Sequence, residues 1–155
     1  MKSLLFICAL ACTLTAGAQS PDKTAGVKTL VESQNYTFQA QTALPMRGPA
    51  RQLTTEFEMQ VTKNKVVSAL PYFGRAYVAP MNPAQGGMDF TSKQFDYTVT
   101  PGKKGGWEVV IKPKDLKNDV KQLYLSISQD GYASLHVISQ NEDAISYNGV
   151  ILSSK

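Results

Sequence analysis

Cysteine is nearly missing from this chain of 155 residues: there are two, Cys8 and Cys12. Histidine occurs once, as His136, and tryptophan once, as Trp107. Each scarcity excludes something. Structural or catalytic zinc needs three or four Cys, His or carboxylate ligands, and one histidine does not supply them. No Gly-x-Ser-x-Gly elbow is present, and a serine nucleophile has only His136 as its base. Apart from the start of the chain, no apolar run approaches the ~20 residues of a membrane span. The net charge is +4, but the lysines and arginines are scattered and fall mostly in turns. Nucleic-acid binders instead gather charge on one face and interleave stacking aromatics.

What is there begins at the N-terminus. Lys2 gives a positive start, Leu4 to Leu14 is a short apolar run, and Ala16-Gly17-Ala18 fits the small-x-small pattern that signal peptidase cuts. Residues 1–18 therefore read as a signal peptide cleaved after Ala18, and the expected location is the periplasm or the exterior. A lipoprotein start needs a Leu-x-x-Cys box. Ala9 stands where that leucine belongs before Cys12, and the residues before Cys8 lack the small one. Both cysteines leave with the signal. The remaining chain, roughly 137 residues, is one domain that stands on apolar packing without disulfides.

Residues 19–34 read as a short helix or tail. Pro21 suits a first turn, and Val27, Leu30 and Val31 make a narrow apolar stripe. Over 35–155 the period changes to two. Leu53, Phe57, Met59 and Val61 alternate with polar residues, as do Phe95, Tyr97 and Val99; Trp107, Val109 and Ile111; Leu123, Leu125 and Ile127; and Ala133, Leu135 and Val137. Lys63-Asn64, Pro101-Gly102, Gly105-Gly106, Asp130-Gly131 and Asn141-Glu142-Asp143 punctuate these runs with turn chemistry. About eight to ten half-buried antiparallel strands in sequence make a meander, which curls to protect its edges. The fold class is all-β, an antiparallel barrel with one short N-terminal helix.

Leu70-Pro71-Tyr72-Phe73-Gly74-Arg75-Ala76-Tyr77 breaks that rhythm and crowds three aromatics and an arginine together. This block, with Ala43 to Gly48, Gly86-Gly87, Gly105-Gly106-Trp107, Gly131 to Leu135 and Ile145-Ser146-Tyr147, resembles the domain-of-unknown-function 4251 family of small exported Bacteroidetes proteins. The resemblance implies a lipocalin-like barrel and no established activity. It departs at Glu142-Asp143, where the family pattern tends to carry an arginine.

Tyr72, Phe73, Arg75 and Tyr77 are the candidate ligand-binding residues, lining a barrel mouth for an apolar or amphipathic ligand. A structural role competes, with the aromatics plugging the barrel end and Arg75 paired with a carboxylate such as Asp89. Glu56 and Glu58 share a strand face at roughly 6–7 Å, a spacing that overlaps paired-carboxylate glycosidases, but that face looks at water. Asp115, Asn118 and Asp119 offer oxygens without a calcium-loop spacing. No catalytic residue, metal or cofactor is implied. The expected role is a non-enzymatic binding module for a small ligand or, alternatively, for an envelope protein as accessory subunit or inhibitor.

Overall fold

The computed structural model of the chain describes residues 21–77, 88–116 and 120–154. The apolar start, Asn118 and Asp119 lie outside them. Within them a helix, α1 (Pro21–Ser33), is followed by nine strands: β1 (Tyr36–Pro45), β2 (Arg51–Thr62), β3 (Lys65–Leu70), β4 (Met88–Ser92), β5 (Phe95–Pro101), β6 (Trp107–Pro113), β7 (Val120–Ile127), β8 (Tyr132–Ser139) and β9 (Ile145–Ser153).

All the pairings are antiparallel, in the order β4-β3-β2-β1-β9-β8-β7-β6-β5. The first and last strands pair along their length, from Tyr36 opposite Ser153 to Pro45 opposite Ile145. The two edge strands, β4 and β5, are neighbours in sequence, separated only by Lys93 and Gln94. They are consecutive lengths of one bent path, the first paired with β3 and the second with β6. Chain continuity thus completes a nearly closed barrel where the hydrogen-bond ladder is interrupted.

The bend is pinned by Asp115. Its carboxylate accepts from the Ser92 hydroxyl at 2.5 Å and from the Lys93 and Gln94 amides at 2.7 and 3.2 Å. These hydrogen bonds hold the Asp115 carboxyl below its ordinary range. Asp115, one of the three oxygen-bearing residues considered for calcium, takes that capping role here. Among the described residues no group of three or more His, Cys, Asp or Glu is placed to hold a metal.

Alternation decides which side chains enter the barrel. Met59 and Val61 from β2, Val109 and Ile111 from β6, Leu123, Leu125 and Ile127 from β7, and Leu135 and Val137 from β8 are buried, while their neighbours face out. Phe57 and Trp107 are half-buried against that core. The turn between β7 and β8 uses Gly131 at φ 85°, a conformation that costs a side-chain-bearing residue roughly 1–2 kcal/mol.

The stripe on α1 docks as its spacing predicts: Val27 and Val31 are buried and Leu30 packs beside them. The Tyr97 hydroxyl on β5 donates to the Val31 carbonyl at 3.2 Å and meets the Tyr36 hydroxyl at 3.2 Å. Val27 lies against Gly131. The helix therefore runs from β5 to the β7–β8 turn, across the barrel end where β1 begins. No helix among the described residues is long and apolar enough to cross a membrane.

Candidate functional site

At the opposite end, β1 and β3 finish and β9 begins. Pro71 follows Leu70 and ends the β3 ladder, since proline offers no amide donor. The carbonyl of Pro71 accepts from the hydroxyl of fully buried Tyr147 at 2.9 Å. The Tyr72 hydroxyl donates between the carbonyls of Arg75 and Asp143, at 3.1 and 3.0 Å. A miniature ladder then joins 75–77 to 141–143. The Tyr77 amide donates to the Asn141 carbonyl at 2.8 Å, and the Asp143 amide donates to the Arg75 carbonyl at 3.0 Å. Ala76 and Glu142 form the bridge between them.

Asp143 is the hinge pin of this arrangement. It is 6% exposed, its Oδ1 accepts from the Tyr77 hydroxyl, and its Oδ2 is buried without a hydrogen-bond partner. The hydrogen bond to Asp143 is the largest influence raising the Tyr77 hydroxyl above its usual range, and the nearby Arg47 and Arg75 oppose it. Burial, then Glu142 and Asp143, push Tyr72 up to about 12. Burial likewise raises Tyr147. These phenols hold their protons as structural donors.

Tyr72, Phe73, Arg75 and Tyr77 are thus brought together on one loop, and two of them are committed to the frame. Tyr72 is half-buried with its hydroxyl spent on backbone carbonyls, and Phe73 is half-buried with the Arg51 guanidinium 4.8 Å above its ring. Arg75 and Tyr77 are exposed. The carboxylates of Glu142 and Asp143 lie beside this segment. Asp89 sits on β4, and the ion pairs among the described residues do not join it to Arg75. Exposed Met46 and Arg47 extend the rim, and Tyr77 is 62% and Met46 63% exposed.

The middle of the barrel is filled. Tyr36, Phe38, Met59, Leu123, Leu125 and Tyr147 expose no surface to solvent. A side chain facing a chamber that could admit even one water would show some. At this end Arg75 and Tyr77 accordingly stand outside the core.

His136 is exposed on the outer face, its Nδ1 at 2.8 Å from the Ser146 hydroxyl of the neighbouring strand. An open sheet surface does not desolvate such a pair as nucleophile activation requires. Glu56 is exposed and Glu58 half-buried on β2.

The family model for "Domain of unknown function (DUF4251)" matches residues 18–151. A crystal structure of a DUF4251 family protein from Bacteroides eggerthii superposes with a TM-score of 0.64 at 14% identity, covering 85% of this chain and 88% of that one. No curated protein matches the chain.

Proposed function

The chain belongs to the DUF4251 family, whose description assigns no activity, and we propose that it is a non-enzymatic, exported binding module that docks a partner protein through the rim of Met46, Arg47, Arg51, Phe73, Arg75 and Tyr77. One observation carries this reading: the core is packed solid while arginine, tyrosine and methionine crowd outside one barrel end. Those residue types are the ones enriched at interface centres, where they bring area, hydrogen bonds and charge together. Three arginines at the rim favour a partner face that offers carboxylates. The Asp143 bonds hold the Tyr77 ring in place before binding, which lowers the ordering cost of association.

The test starts with native mass spectrometry of the protein purified from its own envelope. The expected result is a subunit-sized added mass, and that purified partner then binds Arg75→Glu at least about tenfold more weakly, in line with one lost charge-assisted contact. A retained small molecule in place of a subunit would return the rim to the mouth-ligand role expected for Tyr72, Phe73, Arg75 and Tyr77. An unchanged affinity in Arg75→Glu together with Arg47→Glu sinks the rim as the docking surface.

A further inference from the structure

The outer wall near the opposite end carries a second feature. A groove of about 530 Å³ lies there, lined by β6 to β9, the Gly102–Gly106 loop and Gln41, and its size falls within the ~300–1,000 Å³ of ligand sites. The outer face of a closed barrel is convex, so a groove on it must be built. Its floor is a cross-strand row in register: Glu108 opposite Ser126, Ser126 opposite Ser134, Ser134 opposite Asn148. Short side chains keep the middle of that row low. Beside it a Cβ on Gly149 would strike the Gln39 carbonyl oxygen, so β1 and β9 approach there as only glycine permits. The register of β1 slips between Ala40 and Thr42 against both neighbours, and the slip presents Gln41 to the groove.

The walls are fixed as well. The Gly102 amide donates to the Gly106 carbonyl at 2.8 Å, closing the loop, and the Gln129 amide donates to the Gly105 carbonyl at 3.2 Å, tying the loop to the β7–β8 turn. Lys104 is held at φ 60°, an uncommon conformation for a residue with a side chain. On the other wall Tyr132 leaves 66% of its surface exposed.

From this arrangement we infer that the groove is a saccharide-binding site for a neutral, hydroxyl-rich oligosaccharide. The floor presents hydroxyl, amide and carboxylate groups that donate and accept in a line, with Glu108 already accepting from Ser126 at 2.9 Å. Three strand spacings make that line roughly 14 Å long, about the length of a trisaccharide. Tyr132 offers an aromatic face for the apolar side of a sugar ring. Lys103 and Lys104 stand against Glu108 and Asp130, so the lining balances in charge and favours neither a phosphate nor an acid. An extended peptide is disfavoured, because the strands of the floor are paired on both sides and leave no backbone edge to extend.

The experiment titrates the intact, isotope-labelled chain with maltotriose, cellotriose and chitotriose, following amide NMR shifts. The expected result is saturable shifts for at least one probe at Lys103, Lys104, Ser126, Ser134 and Asn148. Affinity should fall roughly tenfold in Tyr132→Ala, about what one aromatic contact supplies. Asn148→Ala should weaken binding while leaving the rest of the spectrum in place, which separates a lost contact from a lost fold. Silence with all three probes overturns the inference, as do shifts confined to other surfaces or an unchanged affinity in both variants. Shifts at the groove from hexaglycine but from no saccharide also overturn it and assign the groove to peptide. Arg75→Glu lies at the other end and should leave saccharide binding untouched, so failure here and failure of the docking rim are separate results.

Discussion

Asp143 shows how much one carboxylate can organise. It fastens Tyr77 through its side chain and 75–77 through its backbone, yet leaves Oδ2 buried and unbonded. Asp143→Ala removes the acceptor for Tyr77 and should cost about 1–3 kcal/mol, read from the urea midpoint. Asp143→Asn keeps an acceptor while removing a buried charge, so it should stay within about 1 kcal/mol of the parent. A larger loss in the asparagine variant than in the alanine variant contradicts this account. Asp115 yields a prediction in pH. Its folded carboxyl is held below the ordinary 3.8 by Ser92 and the Lys93 amide, so its contribution to stability is present above 3.8 and is lost as pH falls through the lower folded value. Asp115→Asn should therefore be less stable at neutral pH and show a flatter acid limb in pH-dependent denaturation.

At this scale the sequence discloses the site unevenly. Tyr72, Phe73, Arg75 and Tyr77 stand out because aromatics and arginine interrupt an alternating pattern. Asp143 does not, although a signal exists: it shares the parity of Ile145 and Tyr147, both buried, and so falls on the inward phase of β9 continued backwards. An acid on an apolar phase is the mark of a built contact. Arg51 comes to lie over Phe73 only through the fold, and no local pattern points to it.

Elements were the most legible level. The stripe Val27, Leu30, Val31 and the period of two state the helix and the strands, because burial on one face imposes those periods directly. Turn residues mark the hairpins for an equally local reason. Where α1 docks is not local, since it depends on a hydroxyl relay between Val31, Tyr97 and Tyr36. Tyr97→Phe breaks that relay and should destabilise the protein by about 1 kcal/mol. Amide exchange should accelerate more across α1 than in β7 or β8. Uniform acceleration throughout would mean that the helix is fastened by something other than this relay.

For the whole molecule, the buried phenols set an alkaline limit. Tyr36, Tyr72 and Tyr147 are raised, chiefly by burial, Tyr72 to about 12. The folded state holds their protons where the unfolded chain would release them, so stability is full below about 10 and falls as pH rises through the folded values. The tyrosinate absorbance of fully buried Tyr36 and Tyr147 should appear together with loss of the β signal in circular dichroism. Their titration in an intact fold would contradict the burial. The barrel itself was expected from the meander, but which strands close it was the least legible part. Nothing local in β1 names β9 as its partner, nor says that β4 and β5 are one interrupted path, because both are settled by packing among distant segments.

The ladder from Tyr36–Ser153 to Pro45–Ile145 also sets a schedule. A ribosome delivers β1 before the other described strands and β9 after them, so one flank of β1 lacks its native mate until the strands between have been made. Throughout that interval the sheet is an unfinished ribbon, and the nine residues of β9 act as the zip that fastens it.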